Sequence, residues 1–370
     1  MTSVLVDARL SWASGIGRYV ANTLPRVASE LPEVAFELLV TPANMDRASI
    51  ACAGVSNIKV TAIELEAFTL AEQWRLGRLA KGHDLTWFTS YWVPLAFRRP
   101  FVVTIHDMLH LEPKLFPASL LKRTLSRMTF AHVARRASGI LYVSRFTRRE
   151  FERRFGGSRA TAVSRLGIDH IGWTLFDPDR SMTKERRILL VAAPKQHKNF
   201  EIAVSAFTLA QLEPGWTFTI VLPQQDLRSS IDVGALARAR SDIEIHTAIS
   251  NGELRALYEK SAILLMPSLY EGFGLPLAEG LQAGAICVSS TAESLVELGQ
   301  GANVTWVNPR DLEGWVKAIE DSSRSWDADN VDRAALADNM RHAASFRWAD
   351  VANATAALMR RVLDRPAGSN

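Results

Sequence analysis

"AILLMPSLYEGFGLPLAEG" (262–280) carries a run of apolar residues into a turn with two glycines and then into a helix opened by a proline. A short, continuous apolar run ended by turn residues is what a strand buried on both faces looks like. Gly272 and Gly274 let the backbone turn tightly, and Pro276 suits the first position of a helix. The start of such a helix presents unpaired N–H groups and a partial positive charge, an arrangement that attracts phosphate. Two carboxylates bracket the turn. Glu271 precedes it, and Glu279 falls about one turn inside the helix. There Glu279 can accept hydrogen bonds from both hydroxyls of a ribose-like diol, or serve only the helix dipole. Strand, glycine turn and helix together form one unit of a parallel α/β sheet.

The unit recurs in both directions. Upstream, apolar runs stand at 3–7, 36–41, 85–88, 101–105 and 139–144, with helical patterns such as "GRYVANTLPRVASEL" between them. The segment after residue 170, "GWTLFDPDRSMTKERR", is polar and without clear period, and 171–186 reads as a linker. The alternation restarts at 187–193 and continues at 217–222, 243–246, 262–267, 285–289 and 304–308. Two such series predict two parallel-sheet domains, 1–170 and 187–345. Ligands of such sheets lie beyond the carboxyl ends of the strands, so the expected site is the cleft between the domains.

Composition is compatible with this and narrows the function. A chain of 370 residues is long for one core. Hydrophobic residues make up 48% and charged residues 22%, an ordinary globular balance. The net charge of +4 suits anionic partners but is far from that of a dedicated nucleic-acid binder. The two cysteines, Cys52 and Cys287, sit in apolar settings, which argues against a disulfide framework and fits a reducing compartment. The first residues lack the apolar stretch of a signal peptide, and no apolar run is long enough to span a bilayer.

Four loops that follow strands carry candidate chemistry. Gly15 and Gly17 stand where a strand-to-helix turn opens a helix; His106 and Asp107 follow 101–105. Lys195, His197 and Lys198 follow 187–193, and the fourth is the stretch quoted first. Each has a plainer reading: turn geometry for the glycines, a structural pair for His106 and Asp107, and a solvated turn with Asn199 as helix cap for the lysines. The eight histidines are scattered and no His/Cys spacing suggests a metal. A dinucleotide fold of the dehydrogenase kind would need a third glycine, which "GIGRYV" lacks.

At this point the residues carry a resemblance. "EGFGLPLAE" resembles the E-x7-E motif of the retaining, GT-B-fold glycosyltransferases of glycosyltransferase family 4. Six further segments match in order: "SGIGRYVANTLPRV", "YWVPLAFRRPFVVTIHDM", "ILYVSRFTRREF", "VSRLGIDH", "LLVAAPKQHKNFEIAVSAF" and "FRWADVANATAALMRRVL". The resemblance implies two Rossmann-like, doubly wound domains facing a central cleft, the final helix (346–370) crossing back to the first. It implies that Glu279 holds the ribose of a nucleotide-sugar donor. Glu271 with Gly272, Phe273, Gly274 and Leu275 would hold the sugar hydroxyls and phosphates, and Lys198 would neutralise the diphosphate. His106 would approach the transferred sugar, Gly15 and Gly17 would close on sugar and phosphate, and the backbone at Ile249 would meet the base. His106, Glu271 and Lys198 are the catalytic candidates. The family pairs its lysine with a nearby arginine; here the nearest cation is Lys195, a point charge in place of a bidentate fork.

By the same resemblance the substrate is a nucleotide sugar with no further cofactor and no metal, GDP-mannose being favoured. The acceptor would be a growing glycan, including a lipid-linked one. A non-catalytic sugar-nucleotide binding subunit and a GT-B epimerase or phosphorylase are the rivals. Six basic residues, counting His132, and no acid in 120–136, with more cations in 145–155, describe either a solvated helix or a surface for anionic lipid headgroups. The second reading makes the protein cytoplasmic and peripheral on a membrane, with no nucleic-acid partner.

Overall fold

A computed structural model describes residues 2–10, 12, 15–157, 160–170, 184–222 and 240–364. The chain divides into two compact units, Met1–Gly167 with Arg347–Asn370 and Ile168–Phe346. The break falls three residues before the expected end of the first domain at 170.

The first unit holds β1 (Thr2–Asp7), α1 (Gly15–Glu30), β2 (Val34–Val40), α2 (Met45–Ala51), β3 (Ile58–Ala62), α3 (Leu70–Leu79), β4 (Leu85–Phe88), β5 (Phe101–Ile105), α4 (Leu120–Arg136), β6 (Gly139–Tyr142), α5 (Arg145–Phe155) and β7 (Thr161–Val163). The sheet order is β3-β2-β1-β4-β5-β6-β7. Every pairing is parallel. β4, β5 and β6 are buried along their whole length, which is why they read as unbroken apolar runs. The edge strands β3 and β7 were not among the strands expected from the sequence. They are only partly buried, and "IKVTA" and "TAV" offer no continuous apolar run. The order reverses between β1 and β4, and that reversal is where an open α/β sheet binds ligands.

The second unit holds β8 (Glu185–Val191), α6 (Phe200–Leu209), β9 (Thr217–Leu222), β10 (Ile243–Thr247), α7 (Asn251–Lys260), β11 (Ser261–Met266), α8 (Leu275–Gln282), β12 (Ile286–Ser290), α9 (Glu293–Leu298), β13 (Thr305–Val307), α10 (Leu312–Asp327) and α11 (Arg333–Ala343). Its order, β10-β9-β8-β11-β12-β13, is that of a dinucleotide-binding sheet, all parallel. Ile188, Leu190, Phe200, Phe218, Ile220, Leu265 and Trp315 pack its core. The reversal falls between β8 and β11.

The expected linker, 171–186, lies mostly outside the described residues, but its end needs correction. β8 starts at Glu185, and Lys184 is buried with its ammonium donating to the carbonyls of Tyr258, Glu259 and Ser261 at 3.2, 3.2 and 2.8 Å. A lysine that caps the carboxyl end of α7 is indistinguishable in sequence from a solvated one. The last helix, α12 (Trp348–Leu363), belongs to the first unit. It lies against α1, the rings of Tyr19 and Trp348 being 6.3 Å apart. Gly167 has no room for a side chain there, since a Cβ would stand 2.3 Å from the Trp348 nitrogen.

Candidate active site

In the second unit the loops at the sheet reversal are bonded to each other. After β8, the His197 carbonyl accepts from Leu269 N at 2.7 Å. Asn199 takes a left-handed conformation, φ 53°. It stands at the first end of α6 as expected, yet its side chain caps nothing there. Its amide donates to the carbonyls of Pro267 and Pro309 at 3.1 and 2.6 Å, tying three loops together. Within this frame the Lys198 ammonium donates to both oxygens of Glu271, at 2.7 and 2.9 Å. Ser268 donates its hydroxyl to Glu271 Oε1 at 2.7 Å, and Ser290 in turn donates to the Ser268 carbonyl. Lys195 is exposed at the start of the same turn.

The glycine turn then starts α8. Gly274 has φ 104°, and a Cβ on it would stand 2.3 Å from Leu295 Cδ2, so both conformation and space demand glycine. Its carbonyl accepts from the nitrogens of Leu277 and Ala278 at 3.0 and 3.3 Å. Pro276 is the second residue of the helix, with Leu275 first, a shift of one from the sequence expectation. Phe273 is buried edge-on to Phe346, ring centres 5.6 Å apart, so its side chain belongs to the core and its backbone alone is available for a ligand.

Glu279 is only 1% exposed. Its Oε2 accepts from the Tyr258 hydroxyl at 2.7 Å, and its Oε1 lies 3.5 Å from His170 Nε2. His170 falls in the second unit, which begins at Ile168, although the sequence places it at the end of the first domain. In the sequence neither Tyr258 nor His170 carries a signal of this role, and neither does Ser268. Ile249 is half-buried in the turn between β10 and α7, between Ala248, φ 56°, and Ser250, whose side chain caps α7.

In the first unit, His106 follows β5 and reaches the loop after β4. Its Nε2 lies 2.9 Å from the Thr89 carbonyl, which can only accept, so the proton sits on Nε2 and Nδ1 carries the lone pair. The Tyr19 ring stands edge-on at 4.9 Å, and burial lowers the imidazole pKa, keeping the ring neutral. Asp107 accepts from Leu109 N at 3.0 Å, a turn-forming bond, in place of the direct pairing with His106 that the sequence suggests. Gly15 opens α1. Gly17 is forced, since a Cβ would stand 2.2 Å from the Trp12 carbonyl oxygen. Beside this loop lies an ion cluster that the sequence reading missed. Arg9 is buried and donates to Asp7 at 2.8 and 2.7 Å, to Glu72 at 2.6 Å and to the Leu65 carbonyl at 2.9 Å.

Among the described residues, no three His, Cys, Asp or Glu side chains gather so as to hold a metal ion, and no helix is long and apolar enough to cross a membrane.

Comparison with known proteins agrees with this architecture. Residues 13–170 match the family model described as Glycosyltransferase Family 4, and 185–324 match Glycosyl transferases group 1. Among characterised relatives, the GDP-mannose:cellobiosyl-diphosphopolyprenol alpha-mannosyltransferase of Komagataeibacter xylinus is 30% identical over 200 residues, 53% of this chain and half of that one. A serotype-specific mannosyltransferase of Escherichia coli is 28% identical over 180 residues, 47% of this chain and 22% of its own. The matches therefore span half or less of these relatives. Among solved structures, sucrose-phosphate synthase from Thermosynechococcus elongatus superimposes with a TM-score of 0.76 at 16% identity, covering 98% of this chain and 99% of that one. The fold is GT-B, and with both halves matched in order the chain belongs to glycosyltransferase family 4.

Proposed function

We propose that the chain moves a hexose, mannose from GDP-mannose, to a hydroxyl of a glycan acceptor with retention at the anomeric carbon. The observation that carries the reading is the Lys198–Glu271 pair, 2.7 and 2.9 Å, set at the sheet reversal beside the amino end of α8. A cation, helix-end amides and the helix dipole suit a diphosphate that gains charge as it leaves. The relatives whose names specify mannosyl transfer support the choice of sugar, and the Komagataeibacter xylinus relative supports the base.

In this reading the bond between the anomeric carbon and the β-phosphate oxygen breaks through an oxocarbenium-like state. The electron pair leaves with the nucleoside diphosphate, the acceptor oxygen bonds the same face of the carbon, and its proton passes to the departing phosphate. Lys198, with Lys195 in the place of the family's arginine, meets the diphosphate. Gly272 and Gly274 offer backbone to phosphates and sugar, Glu271 takes sugar hydroxyls, and Glu279, held by Tyr258, takes the ribose. The backbone at Ile249 meets the base. In the first unit, His106 offers its Nδ1 lone pair to a sugar hydroxyl, and the backbone at Gly15 and Gly17 serves phosphate. A panel of nucleotide sugars tests the reading by thermal shift and by release of nucleoside diphosphate. GDP-mannose should raise the melting temperature most and be turned over; stabilisation by nucleotides without turnover of any sugar would favour a binding subunit.

A further inference from the structure

We propose that the first unit docks on an anionic lipid bilayer through the amino-terminal ends of α3 and α4. Large apolar side chains that a globular fold would ordinarily cover stand in solvent there. Leu70 is 84% exposed, Trp74 73%, Leu120 73% and Leu121 77%, with Phe68 and Met128 at least half exposed. Single exposed leucines need no explanation, but five large side chains at the same ends of two helices do, with Met128 about two turns further along α4.

Topology places them together. Both helices start from loops at the carboxyl edge of the sheet, and the right-handed crossovers from β3 to β4 and from β5 to β6 run in the same direction along it. α3 and α4 therefore cover the same face. The loop after β4 links them: the Phe68 ring lies 4.2 Å from that of Trp92, and the neighbouring Tyr91 stacks on Phe130 of α4 at 4.6 Å. Along α4, Leu121 and Met128 are seven residues apart and share the side opposite the buried Phe130 and Val133. Phe68 is held at φ 67°, a conformation a bulky residue avoids, by its N–H donating to the buried Glu72 carboxylate at 2.8 Å. The fold thus fixes an aromatic ring in a half-exposed position.

Charge selects the occupant. Lys114 stands exposed in the segment before α4, Lys122 in its first turn and Arg127 midway along it, and Arg75 and Arg78 stand exposed on α3. α4 contains no acid. On α3 the one acid, Glu72, is buried against Arg9, which leaves Glu64 and Glu66 in the preceding loop as exposed anions against the five cations. Two copies of so cationic a face repel each other. A bilayer with acidic headgroups meets the cations at its surface and the leucines just beneath, with Trp74 at the boundary where indole is favoured.

The test is flotation of the full chain with vesicles of phosphatidylglycerol and phosphatidylcholine in equal parts, against phosphatidylcholine alone. The parent should float with the acidic vesicles and lose binding as salt rises. K122Q/R127Q should weaken binding about 25-fold, fivefold for each cation. L120S/L121S and W74S should each weaken it tenfold or more. All these side chains are exposed, so the melting temperature and GDP binding should stay at the parent's values. Failure of the parent to bind acidic vesicles would overturn the proposal, as would full binding by the leucine and tryptophan variants. So would a sedimentation-detected dimer of the parent that L120S/L121S dissolves, for then a second copy covers the face.

Discussion

Replacing Glu271 by Gln offers an unusual test, because the structure predicts a gain. In the ligand-free chain two of the three ammonium donors of Lys198 are taken by the Glu271 carboxylate, at 2.7 and 2.9 Å. A diphosphate must compete for them and must also approach a carboxylate whose side chain is only 10% exposed. A hydrogen bond between charged partners contributes about 1.5–3 kcal/mol, and a neutral amide oxygen recovers roughly half of that. Glu271→Gln should therefore strengthen GDP binding by about 0.75–1.5 kcal/mol, some 4- to 13-fold. Lys198→Ala should weaken it by about 1.5–3 kcal/mol. Guanosine, without phosphates, should bind both variants as it binds the parent. Isothermal titration of GDP and guanosine onto the three proteins supplies the numbers. If Glu271→Gln weakened GDP as Lys198→Ala does, Glu271 would be a nucleotide ligand and the competition argument would fail. Turnover should fall in Glu271→Gln despite the tighter nucleotide, because the carboxylate is assigned to the reacting sugar.

Further outcomes follow from the same geometry. Glu279→Gln should raise donor KM and weaken guanosine binding with kcat nearly kept; Tyr258→Phe, which removes only the hydroxyl 2.7 Å from Glu279, should do the same to a smaller degree, and calorimetry beside steady-state kinetics reads both. Gly274→Ala should lower the melting temperature by several degrees, since strain at φ 104° costs about 1–3 kcal/mol before the Leu295 contact is counted; a calorimetric scan equal to the parent's would refute it. Burial lowers the pKa of His106 and takes that of His132 to about 4, with the cations of Arg98 and Arg136 adding to the second. The unfolded chain takes up those protons first, so the part of the denaturant stability that these two groups control should fall as pH drops below about 6.5, the share of His132 being complete near 4; His132→Asn should flatten part of that slope. Transfer should persist in excess chelator, and activity restored only by a divalent ion would contradict the proposed metal-free chemistry.

The parallel sheets were legible because their central strands are buried on both faces and leave unbroken apolar runs. β3 and β7 escaped because edge strands alternate with solvent. The glycine turn was legible for a comparable reason: Gly274 is dictated by its own backbone angle, a local property. Partners across the fold were not. Asn199 reads as a helix cap and instead bridges two prolyl carbonyls. Lys184 reads as linker and is buried. Tyr258 and His170 meet at Glu279 from 21 residues before it in one case and from the far end of the preceding segment in the other. Such contacts depend on tertiary placement, and no spacing announces them. The family resemblance pointed to Lys198 and Glu271 separately; their direct bond to each other is a finding of the structure.

The most direct test of the central claim is proton NMR of the full chain with GDP-mannose and a glycan acceptor, following the anomeric signals. The account predicts that GDP accumulates with an α-mannosyl product from the α-linked donor, and that Glu271→Gln slows this while holding GDP more tightly. A β-linked product would contradict retention, and an unchanged donor spectrum, with GDP still bound tightly, would contradict transfer itself.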